Sequence, residues 1–494
     1  MNTEQQSNDK SFFGHPRGLA TLFFTEIWER FSYYGMRALL VLFMTAPLAT
    51  GGLAYSAEKA GIIYGLYTSL VYMLSVPGGW IADRILGQRK SVLIGGIIIA
   101  LGHFSMAIHS VEFFYLGLLL IIIGTGLLKP NISTMVGGLY QKEDVRRDAG
   151  FSIFYMGINI GAMISPIVCG YLGQNIDWHL GFTAAGFGMV LGVVQYIFGG
   201  KHLHNVGLRS ESHTTFSTLF KQNPKFKTGT IITIGLFLII AILQFLNIIS
   251  ITIETLSIAV GVILLVLPIA YITQMLTLGG FETAEKKRIS VVFILFIFSA
   301  LFWSAFEQAG SSLNLFADRL SNNVIFGIEF PSSWYQAINS IFIISLAPVI
   351  GWIWIKLKKH EPSSPTKFSF GLIFVGLGFA AIAFAATFAT PEARVNPMWL
   401  VLVYLLHTIG ELCLSPVGLS MVTKLSPQRV VAQMMGVWFL SLSVGNYIGG
   451  QVASLFEKLP LPQLFGAVFA VTGIAGVLLI VLTKPIKNLM GGVK

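Results

Sequence analysis

Glu26-Ile27-Trp28-Glu29-Arg30-Phe31-Ser32-Tyr33-Tyr34-Gly35-Met36-Arg37 decides how this chain must be read, because it sets four charges inside the first long apolar run. Glu26, Glu29, Arg30 and Arg37 recur with Tyr33 and Tyr34 at steps of three or four residues or their sums, which places all six on one face of an α-helix. Facing lipid at mid-bilayer, each charge would cost about 2.5 to 3.5 kcal/mol on insertion scales. The stripe must therefore face protein or a water-filled cavity, and it is the first candidate functional site.

Composition shows why lipid is the relevant solvent. Of 494 residues, 54% are hydrophobic and 11% charged, and the mean hydropathy is +0.75. Soluble domains carry about 25% charged residues. Apolar runs of about 20 residues recur, the length a helix needs to cross a hydrocarbon core of about 30 Å. The strict alternation of an outer-membrane barrel does not appear. A net charge of +10 would suit a nucleic-acid partner, but the basic residues stand singly or in twos and threes between apolar runs, as membrane topology requires. Cys169 and Cys413 both fall inside apolar runs, so no disulfide framework is expected. The first seventeen positions are polar and no cleavage site follows, so no removable signal peptide is expected.

Fourteen helices are predicted, near 19–49, 58–82, 91–110, 113–139, 149–173, 180–199, 228–246, 255–278, 290–316, 333–355, 368–390, 397–423, 428–455 and 462–483. The seventh and eighth carry no buried charge and are flanked by the polar stretches 201–228 and 280–289, which suggests six plus two plus six. The expected divisions are a cytoplasmic segment 1–17, a six-helix bundle 18–200, a linker with two inserted helices 201–289, a second six-helix bundle 290–484 and a cytoplasmic tail 485–494. Of the 32 Lys and Arg residues, 25 fall at the termini and in every second loop, 4 in the intervening loops and 3 within the membrane. That imbalance places both termini in the cytoplasm.

The remaining intramembrane ionisable residues are Glu307 and Glu411. With the central pair set aside, all seven buried charges, Lys129 included, lie on helices 1, 4, 7 and 10 of a twelve-helix count. These lead the four consecutive triplets, the plan of a transporter built from inverted repeats. Lys129-Pro130 and Ser415-Pro416 are matching interruptions in the two halves, and such pairs point to a binding site.

At this point Glu26 to Gly35 resembles the E-x-x-E-R-F-x-Y-Y-G signature of the proton-coupled oligopeptide transporter family, within the major facilitator superfamily. Phe154 to Gly161 resembles the family's fifth-helix signature and Lys129-Pro130-Asn131 its fourth-helix motif. Phe302-Trp303 with Glu307-Gln308, Gln336 with Asn339, Gly410-Glu411-Leu412 through Ser415-Pro416, and Trp438 resemble its C-terminal half. Gly79 to Arg84 with Gly87 and Arg89-Lys90 resembles the superfamily's loop motif after the second helix. The resemblance implies an all-α membrane protein of two six-helix bundles, with two further helices between them as bacterial members have. It also implies a proton-coupled symporter that imports di- and tripeptides, and possible peptide-like drugs, across the bacterial inner membrane. One position departs: animal members carry a histidine one residue after the tyrosine that Tyr64 resembles, and this chain has Gly65. Proton handling is then expected to rest on carboxylates.

Glu307 is the expected proton site with Arg37 as its partner, so that protonation would break the pair and release one half from the other. Glu26, Glu29 and Arg30 join the proton-coupling set, although Arg30 serves equally well as a structural partner of Glu29. Arg37, as a planar two-donor fork, and Lys129, as a point charge, suit a peptide carboxylate, and Lys129 could instead latch to Glu26 or Glu29. Glu411 has no basic neighbour along its helix and suits a peptide ammonium. Asn159 and Asn339 can both donate and accept. Tyr34 and Tyr72 match the family's substrate tyrosines, and Tyr33, Tyr64, Trp303, Ser415 and Trp438 complete the candidate substrate set.

Other classes fit less well. Gly376-Leu377-Gly378-Phe379-Ala380-Ala381 sits inside an apolar span with no strand before it, so it is no dinucleotide fingerprint. No Walker loop or H-E-x-x-H occurs, Asn131-Ile132-Ser133 lies at membrane depth, and no metal-ligand spacing, catalytic residue, resident cofactor or obligatory protein partner is expected. The alternatives are a nitrate or drug carrier on the same scaffold or an integral-membrane enzyme. Plant relatives that carry nitrate have usually lost the glutamates that stand here at 26 and 29.

Overall fold

Away from water, a spanning segment can satisfy its backbone only within its own helix. The computed structural model, which describes residues 10–141, 144–208, 218, 220, 223–246 and 248–492, is accordingly almost all helix. Its first half holds α1 (Arg17–Thr45), α2 (Ala57–Met73), a short continuation α3 (Ser75–Ile81), α4 (Gln88–Met106), α5 (Val111–Gly138), α6 (Arg147–Asn175) and α7 (Trp178–Gly199). Two helices follow, α8 (Pro224–Phe245) and α9 (Ile253–Leu278). The second half holds α10 (Thr283–Phe306), α11 (Ser312–Leu320), α12 (Tyr335–Leu357), α13 (Ser364–Ala385), α14 (Met398–Leu425), α15 (Val431–Ala453) and α16 (Leu461–Met490). A small antiparallel hairpin, β1 (Val324–Ile325) and β2 (Ile328–Glu329), pairs Val324 with Glu329 and Ile325 with Ile328.

A helix stands at each of the fourteen expected places. Among the described residues, eleven helical segments are long and apolar enough to cross a bilayer. Helix α1 is not one of them despite its 29 residues, about 43 Å at 1.5 Å each, because Glu26, Glu29, Arg30 and Arg37 make it too polar.

Three expectations about helix continuity are corrected, the first being the segment 58–82, which divides at Leu74 into α2 and α3. The segment 290–316 is not one helix: α10 ends at Phe306, Glu307–Gly310 form a tighter 3₁₀ turn, and α11 restarts at Ser312. Conversely, Pro130 and Pro416 do not interrupt their helices, since α5 and α14 run through them. A proline removes one N–H bond, which neighbouring turns and packed helices can absorb, whereas the turn at 307–310 stands where Tyr64 and Arg37 of the other half approach Gly310.

Close helix approach sets the frame around the site. Helix α1 packs against α6 and α7, α4 against α5 and α7, and α13 against α14 and α16. A Cβ on Gly161 would lie 2.3 Å from the Ile27 carbonyl oxygen, so α1 and α6 touch backbone to backbone there, and one on Gly35 would lie 2.5 Å from Cys169 Sγ. Between the halves, α2 runs along α15 and α6 along α12. A Cβ on Gly65 would stand 2.7 Å from the Cα of Gly450, which gives the departure at Gly65 a packing reason: no side chain fits there. Helix α9 leans on both α15 and α2, with Gln451 Nε2 donating to Ser257 Oγ at 3.0 Å.

Candidate functional site

The charged stripe of α1 is buried, as its cost in lipid requires: Glu26, Glu29, Arg30 and Arg37 are each at most 6% exposed. Arg30 Nε gives its single hydrogen to Glu26 Oε1 at 2.8 Å. Glu29 Oε2 lies 3.0 Å from the same nitrogen but receives only its charge, so three of the four carboxylate oxygens of Glu26 and Glu29 are buried without a hydrogen-bond donor. Lys129 does not form a latch to Glu26 or Glu29: its Nζ sits 3.7 Å from the centre of the Tyr72 ring, and it makes no ion pair among the described residues.

Two turns further along α1, Arg37 reaches the other half. Its Nη1 lies 2.9 Å from Glu307 Oε2, and both side chains are about 6% exposed. The turn at 307–310 is shaped for this meeting. A Cβ on Gly310 would fall 2.1 Å from the Tyr64 hydroxyl oxygen and 3.0 Å from Arg37 Nε, so only glycine lets α1 and α2 press this close. The Tyr64 hydroxyl donates to the Glu307 carbonyl oxygen at 3.3 Å, and the Arg37 guanidinium lies 5.3 Å from the centre of the Tyr34 ring.

Beside the pair a chamber opens between the halves. Tyr34, Arg37, Tyr72 and Asn159 wall it from the first half, and Trp303, Glu307, Asn339 and Glu411 from the second. Asn339 Nδ2 donates to Glu411 Oε2 at 3.1 Å and to Thr408 Oγ1 at 3.0 Å, which fixes the carboxylate in place. Asn159 Nδ2 donates to the Tyr155 carbonyl oxygen at 3.0 Å. The guanidinium of α1 and the carboxylate of α14 thus stand in one chamber, contributed by opposite halves.

Not every candidate reaches that wall. Among the described residues, the lining does not include Tyr33, Tyr64, Lys129, Ser415 or Trp438. Tyr33 is buried within α1's packing, and Tyr64 and Lys129 touch residues that do line the chamber. Trp438 packs on Phe368 and against Gly418, inside the second half. Conversely, Tyr155, Gln336, Tyr404 and His407 line the chamber and were not candidates. Helical spacing would have found them: Tyr155 is four residues before Asn159, Gln336 three before Asn339, and Tyr404 and His407 seven and four before Glu411.

The polar contacts between the halves cluster at the level of Glu307 and beyond it, toward the end away from the chain termini. Asn314 Nδ2 donates to the Ala38 carbonyl oxygen at 2.8 Å. Gln174 Nε2 donates to Ser332 Oγ at 2.9 Å, and the Ser333 N–H returns a bond to Gln174 Oε1 at 3.0 Å. At the rim the Ala57 N–H donates to Glu457 Oε2 at 3.0 Å, Arg319 holds the other oxygen at 2.7 Å, and Lys458 pairs with Glu58 at 2.6 Å. Burial pushes the Glu457 carboxyl up, but its bonds to Arg319 and the Ala57 N–H outweigh this and hold it below the ordinary 4.5. On the side of the termini, Tyr155 lines the chamber and is 43% exposed, so the chamber is open there and clasped at the other end.

This is the architecture of a multi-pass membrane protein with one polar chamber between two halves. The family model described as the POT family matches residues 89–468, and the chain belongs to that family, whose members are transporters. It is 44% identical to the uncharacterized transporter YclF of Bacillus subtilis, over 98% of this chain and 97% of that one. It is 39% identical to the di-/tripeptide transporter of Lactococcus lactis subsp. cremoris, over 98% and 99%. A crystal structure of peptide transporter POT in complex with sulfate superposes with a TM-score of 0.92 at 40% identity, covering 100% of both chains.

Proposed function

We propose that this protein imports di- and tripeptides together with protons, by alternating exposure of the chamber to the two sides of a bacterial inner membrane with both termini in the cytoplasm. The observation that carries the reading is the meeting of Arg37 and Glu307 across the halves, in the same chamber as Glu411. A short peptide is a zwitterion: Arg37, with Lys129 nearby, takes its carboxylate, and Glu411, held by Asn339, takes its ammonium. Because these poles belong to opposite halves, a bound peptide favours their approach. Tyr34, Tyr72 and Trp303 give the chamber amphipathic walls that tolerate varied side chains. Each added residue lengthens an extended peptide by about 3.3 to 3.6 Å, so length is restricted more than sequence.

The proton enters the same geometry. Protonating Glu307 removes the charge that holds Arg37 and loosens the clasped end. The buried oxygens of Glu26 and Glu29 that lack donors offer further landing places. Inward movement of each charge gains about 2.3 kcal/mol per 100 mV of membrane potential. The chain works without a resident cofactor or catalytic residue, and the likeness to a di-/tripeptide transporter supports the substrate class. The test is uptake of a labelled dipeptide by proteoliposomes, with and without an imposed inward proton gradient. Accumulation above equilibrium only with the gradient supports the reading, and equal uptake in both conditions overturns it.

A further inference from the structure

A second cavity, separate from the chamber, lies wholly within the second half, where the ends of α12, α14 and α16 meet the start of α13. Five lysines line it, Lys358, Lys359, Lys367, Lys424 and Lys487, against a single carboxylate, Glu361. That carboxylate is already engaged. Lys367, only 9% exposed, holds its Nζ 2.5 Å from Glu361 Oε1 and 4.6 Å from the centre of the Trp354 ring. Lys358, Lys359 and Lys487 make no ion pair among the described residues, so the cavity keeps a strong excess of positive charge. The start of α13 adds to it: Ser363 at the cap makes no capping bond, and both Ser363 and Ser364 line the cavity.

The lining changes character along α12. Ala347 and Ile350, with Leu412 and Val417 from α14, make its deeper wall apolar. Between Ala347 and Leu357 the helix rises about 15 Å, from the apolar part of the lining to the lysines that follow its end. Beside the cavity, α12 turns Val349, Trp352 and Ile353 outward, an apolar face of the kind acyl chains cover. A free phosphate ion has no use for such a wall, whereas a molecule with an anionic head and apolar tails matches both parts.

We propose that this cavity binds an anionic phospholipid, its headgroup phosphate among Lys358, Lys359 and Lys487 and its acyl chains along the outer face of α12. Lysine ammonium groups suit phosphate as point charges, and a basic pocket between helices at the membrane boundary is where anionic headgroups collect. Leu412, next to Glu411 on α14, lines this cavity, so an occupant bears on the helix that carries the acidic pole of the chamber. Only the leaflet that supplies the lipid depends on the orientation proposed above; binding itself does not depend on transport.

Native mass spectrometry of the purified full-length protein with phosphatidylglycerol or phosphatidylcholine tests the assignment. The wild type is expected to prefer phosphatidylglycerol, and the Lys358→Gln, Lys359→Gln, Lys487→Gln triple variant to lose roughly 100-fold in that affinity. Replacing the exposed Arg84, Lys90 and Lys201 of the first half by Gln should leave it unchanged. Equal binding of the two lipids, or full displacement of phosphatidylglycerol by millimolar inorganic phosphate, overturns the phospholipid assignment. A measurement on the wild type alone guards against a misfolded variant. Photoactivatable phosphatidylglycerol in nanodiscs should label residues 347–367, 412–424 or 484–490, and labelling confined to other segments overturns the proposal.

Discussion

Replacing Glu307 with Gln removes the charge that joins the halves while keeping the shape of the side chain. At 2.9 Å and an effective dielectric of about 20, the attraction between Arg37 and Glu307 is about 6 kcal/mol before desolvation is subtracted. Removing one partner of a buried pair costs about 3 to 5 kcal/mol, because the other charge is left without compensation. If the pair parts when the far end opens, the substitution should weaken the clasped state by about 3 kcal/mol, a shift of roughly 150-fold in the balance of the two conformations. The contacts of Gln174 with Ser332, Asn314 with Ala38 and Lys458 with Glu58 remain, so the clasp loosens without being abolished. Spin labels at the exposed Ala49 and Glu392, on opposite halves of that end, report the change by pulsed electron resonance in liposomes. The variant should show, at mildly alkaline pH, a longer-distance population that the wild type gains only on acidification. In transport it should lose uphill accumulation and keep exchange of peptide down its gradient. Unchanged distances together with intact uphill uptake would refute the reasoning.

Glu411→Ala should raise the KM for dipeptides with a free amine by roughly 10- to 150-fold, the worth of a hydrogen bond to a charged group, and affect N-acetylated dipeptides far less; equal losses for both would remove its role. Gly65→His should lower the Tm of the purified protein, since overpacking costs about 1 to 3 kcal/mol and the helices α2 and α15 meet backbone to backbone at Gly450. A variant as stable as the wild type would mean that these helices separate readily there. Glu457 is depressed below its ordinary value, so its clasp is fully formed above that value and weakens only as pH falls through the lower one. Glu457→Gln should therefore leave the pH dependence of uptake between about pH 5 and 8 unaltered, and a changed profile in proteoliposomes would count against a purely structural clasp.

Much of the scaffold was legible because lipid is an unforgiving solvent: apolar run lengths marked the fourteen places where helix stands among the described residues, though not the breaks within them, and a charge inside a run had to face inward. The same logic singled out Arg37, Glu307 and Glu411 before their meeting in one chamber was known. Helical spacing from Asn159, Asn339 and Glu411 carried the signal for Tyr155, Gln336, Tyr404 and His407, but attention to charge passed over them. The break after Phe306 was not legible, since Gly310 alone hints at it and the groups that crowd it, Tyr64 and Arg37, come from elements far away in sequence. Proline misled in the opposite direction at Pro130 and Pro416, where packing tolerates one missing donor. The clasp of Gln174, Ser332, Ser333 and Glu457 was invisible for a similar reason, being ordinary polar residues near helix ends that gain meaning only from their partners.

The most direct measurement is a structure of the protein with a bound dipeptide. The account predicts the peptide carboxylate within hydrogen-bonding reach of Arg37 or Lys129 and the ammonium against Glu411, with both halves touching one molecule. A peptide seated with its ends reversed, or bound within one half and away from Arg37 and Glu411, would contradict it.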